Sequence, residues 1–510
     1  MRKSFTIFNS ISALFNRIIT LAVLLLVRHI FVQYFDPEYL GYEGLFQNIL
    51  CVFSLVDLGF GTAIAFDLYE PIHNKRQELI NSIMVMFRRV YLCVGCSIIL
   101  LSFCFVPFLL DFIKGYTIEE DQIRLYFLIY ALGVAVSYFF SYNRTLVFAL
   151  QRSYVISNID SVVRIIGGIA QIYFICNMQS YALYLGTIAA INIGGNILIT
   201  IYTNRYHFYS TKHSKPLPTD FRIKLKKHIS ALLVTNIAWQ GISSTDNIII
   251  SYIHGVVDLS KNANYSMLVL AIHNIVSSIL GGVSASIGDL IVEGNKDKIL
   301  DYFYRYNFIY LVVSGYIFLA FVFTSEFVIS IWVGQYFLFN YFSVFVIALN
   351  LFFMLNFKPI ADYINYSGNF VYYKPYSVVS LFINLFFSVV LSYFVGVTGV
   401  FLGTTLAYLF MSFIVAQIVC KRMFCQNISL YLKILLKIVF PVIISFIILF
   451  VLRNILCFNS AILSFIFWAL LITLVYSLVV FIMMRQDANF RFFSELLFEL
   501  FKKVKFYNRK

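Results

Sequence analysis

Two arginines, Arg17 and Arg28, lie inside an apolar stretch that runs from residue 11 to residue 33. Eleven helical steps of 100° return to within about 20° of the start, so both guanidiniums project from one helix face, roughly 16 Å apart. The pair makes a cationic stripe. Charge at membrane depth is costly enough that service to a ligand or ion is the default reading; the competing one is snorkelling of each head toward a headgroup region. Carboxylates occur in similar settings. Asp246 follows Arg28 by 218 residues, in TDNIIISYI, and Asp57 lies in SLVDLGFGTAIAFDLYEP, ahead of glycines that allow close helix approach. Asp57 reads as a protonatable site or as a partner for an arginine. Lys358 and Asp362 are four residues apart in NFKPIADYINYSGN. Pro359 between them removes a backbone hydrogen bond and predicts a broken helix, which beside a lysine makes an anion contact one reading and a structural kink the other. Asp160 and Arg164, also four apart, read as an intrahelical pair, and Asp67 as part of a solvated rim.

These residues have to be positioned by membrane helices. Of the 510 residues, 61% are hydrophobic and 12% charged, too apolar for a globule that must cover itself with polar groups. Apolar runs of about 20 residues, each long enough to cross a hydrocarbon core, recur throughout. The spacing predicts fourteen spans, near 11–33, 43–66, 90–110, 124–148, 155–176, 180–202, 230–253, 265–291, 307–332, 341–367, 376–395, 398–419, 436–456 and 461–484. The first reads as an uncleaved span, because no small-residue cleavage site follows it.

The net charge of +14 suggests nucleic acid until the charges are mapped. Most of the 38 lysines and arginines fall at the N-terminus, on even-numbered connections and in the C-terminal tail; only Lys114, Arg124, Lys261 and Arg453 fall on the odd-numbered ones. This bias is an orientation signal that places both termini in the cytoplasm, and it removes the case for a nucleic-acid partner. The eight cysteines, including Cys93 and Cys96 in mid-span, read as packing residues. The tail, NFRFFSELLFELFKKVKFYNRK, carries apolar residues at helical spacing beside lysines and reads as an interfacial helix on anionic lipid. The outer connections are short, which leaves no room for the outer domain that a glycan polymerase or ligase would need.

The chain also repeats itself. ISAL at Ile11–Leu14 recurs at Ile229–Leu232, and that register lays Arg28 over Asp246 and Tyr34 over Tyr252. Further on, VYLCV at Val90 meets IYLVV at Ile309. Spans 1–6 and 7–12 therefore read as two copies of a six-helix unit, a parallel repeat with its polar residues facing a central cleft. The expected fold is an all-α polytopic membrane protein of about 14 transmembrane helices, with two pseudo-symmetric six-helix lobes plus two C-terminal helices. Its parts are an N-terminal lobe (1–202), a basic linker (203–229), a C-terminal lobe (230–420), two extra spans (421–484) and a basic amphipathic tail (485–510).

The ordered motifs YLGYEGLFQNILCVFSLVDLGFGTAIAFDLYEP, STDNIIISYI, NANYSMLVLAI, WVGQYF and GVTGVFLGTTLAYLF resemble the Wzx-type polysaccharide repeat-unit flippases of the multidrug/oligosaccharidyl-lipid/polysaccharide exporter superfamily. The resemblance runs from about residue 5 to residue 425. It implies movement of an undecaprenyl-pyrophosphate-linked oligosaccharide from the cytoplasmic to the outer leaflet of a bacterial inner membrane by alternating access, for O-antigen or capsule-type polysaccharide. It also implies membrane lipids and a polysaccharide polymerase machinery as partners, and no enzymatic step. A diphosphate needs cations to enter a membrane, and guanidinium forks suit its oxygens. Arg17, Arg28 and Lys358 are thus the expected substrate contacts, and Asp57, Asp246 and Asp362 the coupling or gating residues, with H⁺ or Na⁺ as the driving ion. Span 8 departs from related lipid-linked-precursor flippases, which carry cleft cations there: it has no lysine or arginine. A drug/cation antiporter on the same fold is the alternative.

Overall fold

The computed structural model describes residues 2–54, 60–114, 117–206, 208–210, 216–217, 240–242, 244–293, 295–367, 372–455, 460–492 and 494. All regular structure among them is helical. Eleven helices are long and apolar enough to cross a membrane, so the chain is a multi-pass membrane protein. The expected second and seventh spans fall on stretches that include residues outside the described set, while the eighth lies within one described helix, Val256–Glu293.

The chain divides into two compact units, residues Met1–Ala263 and Asn264–Lys510. The first contains α1 (Arg2–Tyr34), α2 (Pro37–Phe53), α3 (Phe60–His73), α4 (Gln77–Phe105), α5 (Glu120–Ala149), α6 (Ser153–Tyr173) and α7 (Tyr181–Arg205). Helix α8 (Val256–Glu293) carries the division. The second holds α9 (Lys296–Trp332), α10 (Tyr341–Tyr366), α11 (Lys374–Val395), α12 (Val397–Met423), α13 (Ser429–Ile455) and α14 (Ala461–Met484).

In a bilayer, helix association depends on close packing and interhelical hydrogen bonds, so small and amide residues mark the seams. In the first unit α1 and α6 run parallel in a seven-residue rhythm. Asn9 accepts a bond from the Tyr154 amide at 2.8 Å, Asn16 accepts one from the Ser161 hydroxyl at 3.1 Å, and Gly168 sits so close to Val23 that a Cβ there would lie 2.4 Å from it. Helices α5 and α7 also run parallel, with Asn143 donating to Thr200 at 2.9 Å and Asn196 to the Ser137 carbonyl at 3.0 Å. A core of Ile64, Leu68, Ile83, Phe87, Tyr91, Tyr142 and Leu146 joins α3, α4 and α5 at one end, and Leu217 of the expected linker packs into it. Asp67 belongs to this buried end, 5% exposed, and not to a solvated rim; the helix turn that carries it also carries the fully buried Ile64 and Leu68.

In the second unit α11 and α12 form a tight antiparallel hairpin. Gly396, at φ +66°, makes the turn in a conformation that side-chain-bearing residues avoid. Past it, Gly399 lies against the Leu391 backbone and Gly403 against Ser388. The neighbour pairs α4–α5, α5–α7 and α6–α7 of the first unit recur in order as α9–α10, α10–α12 and α11–α12 in the second, as two copies of one six-helix plan require. Helices α13 and α14 are added on α9, where Tyr476 donates to the Val312 carbonyl at 2.9 Å over Gly315.

Pro359 does not break its helix: α10 is continuous from Tyr341 to Tyr366. A proline costs one backbone bond, and a membrane helix tolerates that where its neighbours hold the remaining turns. The Asn350 amide donating to the Phe401 carbonyl at 2.9 Å, and Thr405 donating back to Asn350 at 2.6 Å, fix α10 to α12 on the N-terminal side of the proline.

Candidate functional site

Several of the charges inside the spans are arranged as small neutral clusters, each within one unit. Arg28, on the C-terminal third of α1, lies 3.6 Å from Glu43 on α2, with the two side chains only 13% and 21% exposed. Tyr184 of α7 donates to the same carboxylate oxygen at 3.1 Å. Around this cluster Phe31 meets Tyr184 at 4.8 Å and Phe35 at 4.7 Å, while Tyr181 donates to the Tyr39 carbonyl at 2.9 Å. Aromatic burial lowers the local dielectric and strengthens the ion pair it encloses. Glu43 and Tyr184 carry no signal in the sequence beyond their types. Glu43 stands in the YEGL motif, but its contact with Arg28 depends on how α1 and α2 fold back.

Arg17 is exposed, next to Asn16 at the α1–α6 seam. Asp246 is buried, 9% exposed, in helical residues 244–254. Its neighbour Asn247 joins an amide ladder, donating to Asn48 at 3.2 Å and accepting from Asn262 at 2.7 Å. Asp57 lies outside the described residues.

The expected Asp160–Arg164 pair is not formed. Asp160 instead receives both ends of the Arg144 guanidinium, at 2.7 and 2.8 Å, and Nε of Arg144 donates to Asn196 at 2.5 Å. A bidentate fork aligned by a third partner is a stronger contact than a single bond reached along one helix. Arg144 therefore ties α5, α6 and α7 together, a role that its place near the end of an apolar run did not reveal.

In the second unit Lys358 is paired with Asp362, and Tyr306 of α9 donates to the other carboxylate oxygen at 2.9 Å. Asp362 is 7% exposed and Lys358 36%, so the ammonium is the accessible end of the pair. Tyr310 stands 5.1 Å from Tyr306 and continues the phenolic lining. Such a cluster holds a cation in place while leaving it able to meet an anion in exchange for its carboxylate. Among the described residues no group of His, Cys, Asp and Glu is arranged to hold a metal ion.

No protein-family model matches the sequence and no curated protein aligns with it, but solved structures do. The chain is similar to the lipid II flippase MurJ in an inward closed conformation, with TM-score 0.70 and 16% identity over 94% of this chain and 99% of that one. It is also similar to a multidrug-resistance MATE family transporter of the MOP superfamily in an inward-facing conformation (TM-score 0.53, 15% identity, 82% and 98% covered). The eukaryotic MATE transporter AtDTX14 gives TM-score 0.56 at 12% identity, with 85% and 98% covered.

Proposed function

We propose that the chain is a flippase for lipid-linked oligosaccharides, carrying undecaprenyl-pyrophosphate-linked repeat units from the cytoplasmic to the outer leaflet of a bacterial inner membrane by alternating access, in O-antigen or capsule-type polysaccharide assembly. The observation that carries the reading is the likeness in fold to a lipid II flippase along nearly the whole chain, joined to guanidiniums held inside apolar helices at Arg17 and Arg28. Arg17, Arg28 and Lys358 are the proposed diphosphate contacts. Asp57, Asp246 and Asp362 are the proposed coupling or gating carboxylates, with H⁺ or Na⁺ as the driving ion. Both termini face the cytoplasm in this reading, and the polysaccharide polymerase receives the flipped units.

The second reading, a drug/cation antiporter, is favoured by the likeness to MATE transporters. One experiment separates them. In proteoliposomes loaded with a polyprenyl-diphosphate oligosaccharide, the flippase exposes the sugar to an added glycosidase at a rate that depends on protein, and Arg28→Ala slows it more than Arg28→Lys. Drug-dependent proton or sodium flux, with no gain in glycan exposure, would establish the antiporter instead.

A further inference from the structure

Four cations on the helices each have a carboxylate: Arg28 has Glu43, Arg144 has Asp160, Lys358 has Asp362, and Arg453, near the end of α13, has Glu326. Arg164 differs. Among the described residues it has neither an ion-pair partner nor a hydrogen bond, and the carboxylate one turn before it is saturated by Arg144. It stands eleven residues into the span Ser153–Met178 and fourteen from its end, about 16 and 21 Å from the two ends. That is too deep for its head to reach either surface.

Its face is equally telling. Val162, Ile165, Ile166, Ile169 and Tyr173 are exposed and form the outward stripe of α6. Arg164 lies roughly 150° around the helix from that stripe. It shares its side with Gly167, which packs on Ile191 of α7, and Gly168, which packs on Val23 of α1. The guanidinium thus enters the interior of the first unit, between α1 and α7.

Two further polar groups face the same interior. Gln171, seven residues on and on the same face, is 5% exposed and has no hydrogen-bond partner among the described residues. On α7, Gly167 opposite Ile191 and Gly195 beside Asp160 fix an antiparallel register that sets Asn192 level with Arg164. Asn192 is exposed and without a partner among the described residues, although Leu185, Asn196 and Ile199 on its own face are buried. The space in front of it is open.

We infer that Arg164, Asn192 and Gln171 form an anion subsite inside the first unit, built for the phosphate oxygens of a lipid diphosphate. A guanidinium fork supplies paired donors and the fixed charge, and the two amides supply neutral donors around it. The Arg144–Asp160–Asn196 cluster beneath is already satisfied, so it acts as a rigid floor and not as a competitor. The choice of a diphosphate rests on the flippase reading; the anion subsite rests on Arg164 itself.

The test uses the full chain in phosphatidylcholine nanodiscs with farnesyl diphosphate as the probe, measured by calorimetry. Arg164→Gln is expected to weaken binding about tenfold or more, and Arg164→Lys less. Asn192→Asp, which supplies Arg164 with a partner in place, is expected to abolish binding while raising the melting temperature, so the outcome does not hang on a variant that fails to fold. Unchanged affinity in both Arg164→Gln and Asn192→Asp overturns the subsite. If phosphatidylglycerol, and not farnesyl diphosphate, binds in an Arg164-dependent way, the subsite stands and belongs to a lipid headgroup. Wild-type glycan exposure by Arg164→Gln in the proteoliposome assay overturns the subsite's part in transport and leaves the flippase reading in place.

Discussion

Arg144 grips Asp160 by both carboxylate oxygens, from a helix that begins and ends before the one carrying Asp160. This contact spans 16 residues of sequence and joins α5 to α6 while Asn196 adds α7. Removing one partner leaves the other half-buried charge uncompensated. Asp160→Asn is expected to destabilise the protein by about 1–3 kcal/mol, less than a fully buried pair because both side chains are 31% exposed. The double variant Arg144→Gln/Asp160→Asn is expected to recover part of the loss. Thermal unfolding of the four proteins in detergent gives the coupling; strictly additive losses would mean the fork contributes nothing as a unit.

The Arg28–Glu43 pair makes a prediction of opposite sign on binding. Glu43→Gln keeps an acceptor for the Tyr184 hydroxyl but releases the charge of Arg28. If Arg28 is a diphosphate contact, Glu43→Gln tightens farnesyl diphosphate binding severalfold and Arg28→Ala weakens it. Calorimetry on the two variants reads both, and a change in the same direction for both would remove Arg28 from the substrate contacts.

The α11–α12 seam tolerates no side chain at Gly399, where a Cβ would lie 2.2 Å from the Leu391 backbone. Gly399→Ala is expected to cost about 1–3 kcal/mol by forcing the hairpin apart. Gly194→Ala in α7 meets nothing within 4 Å and should be neutral or stabilising by up to about 1 kcal/mol, from helix propensity. Melting temperatures of the two variants, taken side by side, check the pair.

Acid acts on the segment after α14. Asp487 is held below the ordinary carboxylate range: burial pushes its pKa up, but the Lys437 ammonium and the amides of Asn489 and Phe490 more than offset this. Lys437 sits 2.7 Å away, and Arg305 of α9 stacks over Phe492 at 4.5 Å. A depressed folded pKa means that this docking is fully present above the unfolded carboxylate value and is lost as the pH falls through the folded one. The loss is expected to be under about 1 kcal/mol, since Lys437 is 55% exposed. Proteolysis of the tail should accelerate on acidification, and Asp487→Asn should show the fast rate at every pH.

Much of the fold was legible because the bilayer leaves few options: long apolar runs must be helices, and their spacing sets where each begins. Hence the sequence by itself determined the helical class, most of the spans, the doubled plan with two added helices, and the fact that Arg17, Arg28, Arg164 and Lys358 sit among apolar residues. It did not determine their partners. A four-residue spacing brings Lys358 to Asp362 and equally permits Arg164 to reach Asp160, yet only the first pair forms. The difference comes from α5, which delivers a better donor to Asp160 than its own helix does. Glu43 reaches Arg28, and Pro359 stays within an unbroken helix, for the same reason: neighbouring helices decided which polar groups were satisfied. In a membrane interior each polar group takes the best partner that packing brings within reach, and reach across helices exists only in the tertiary structure.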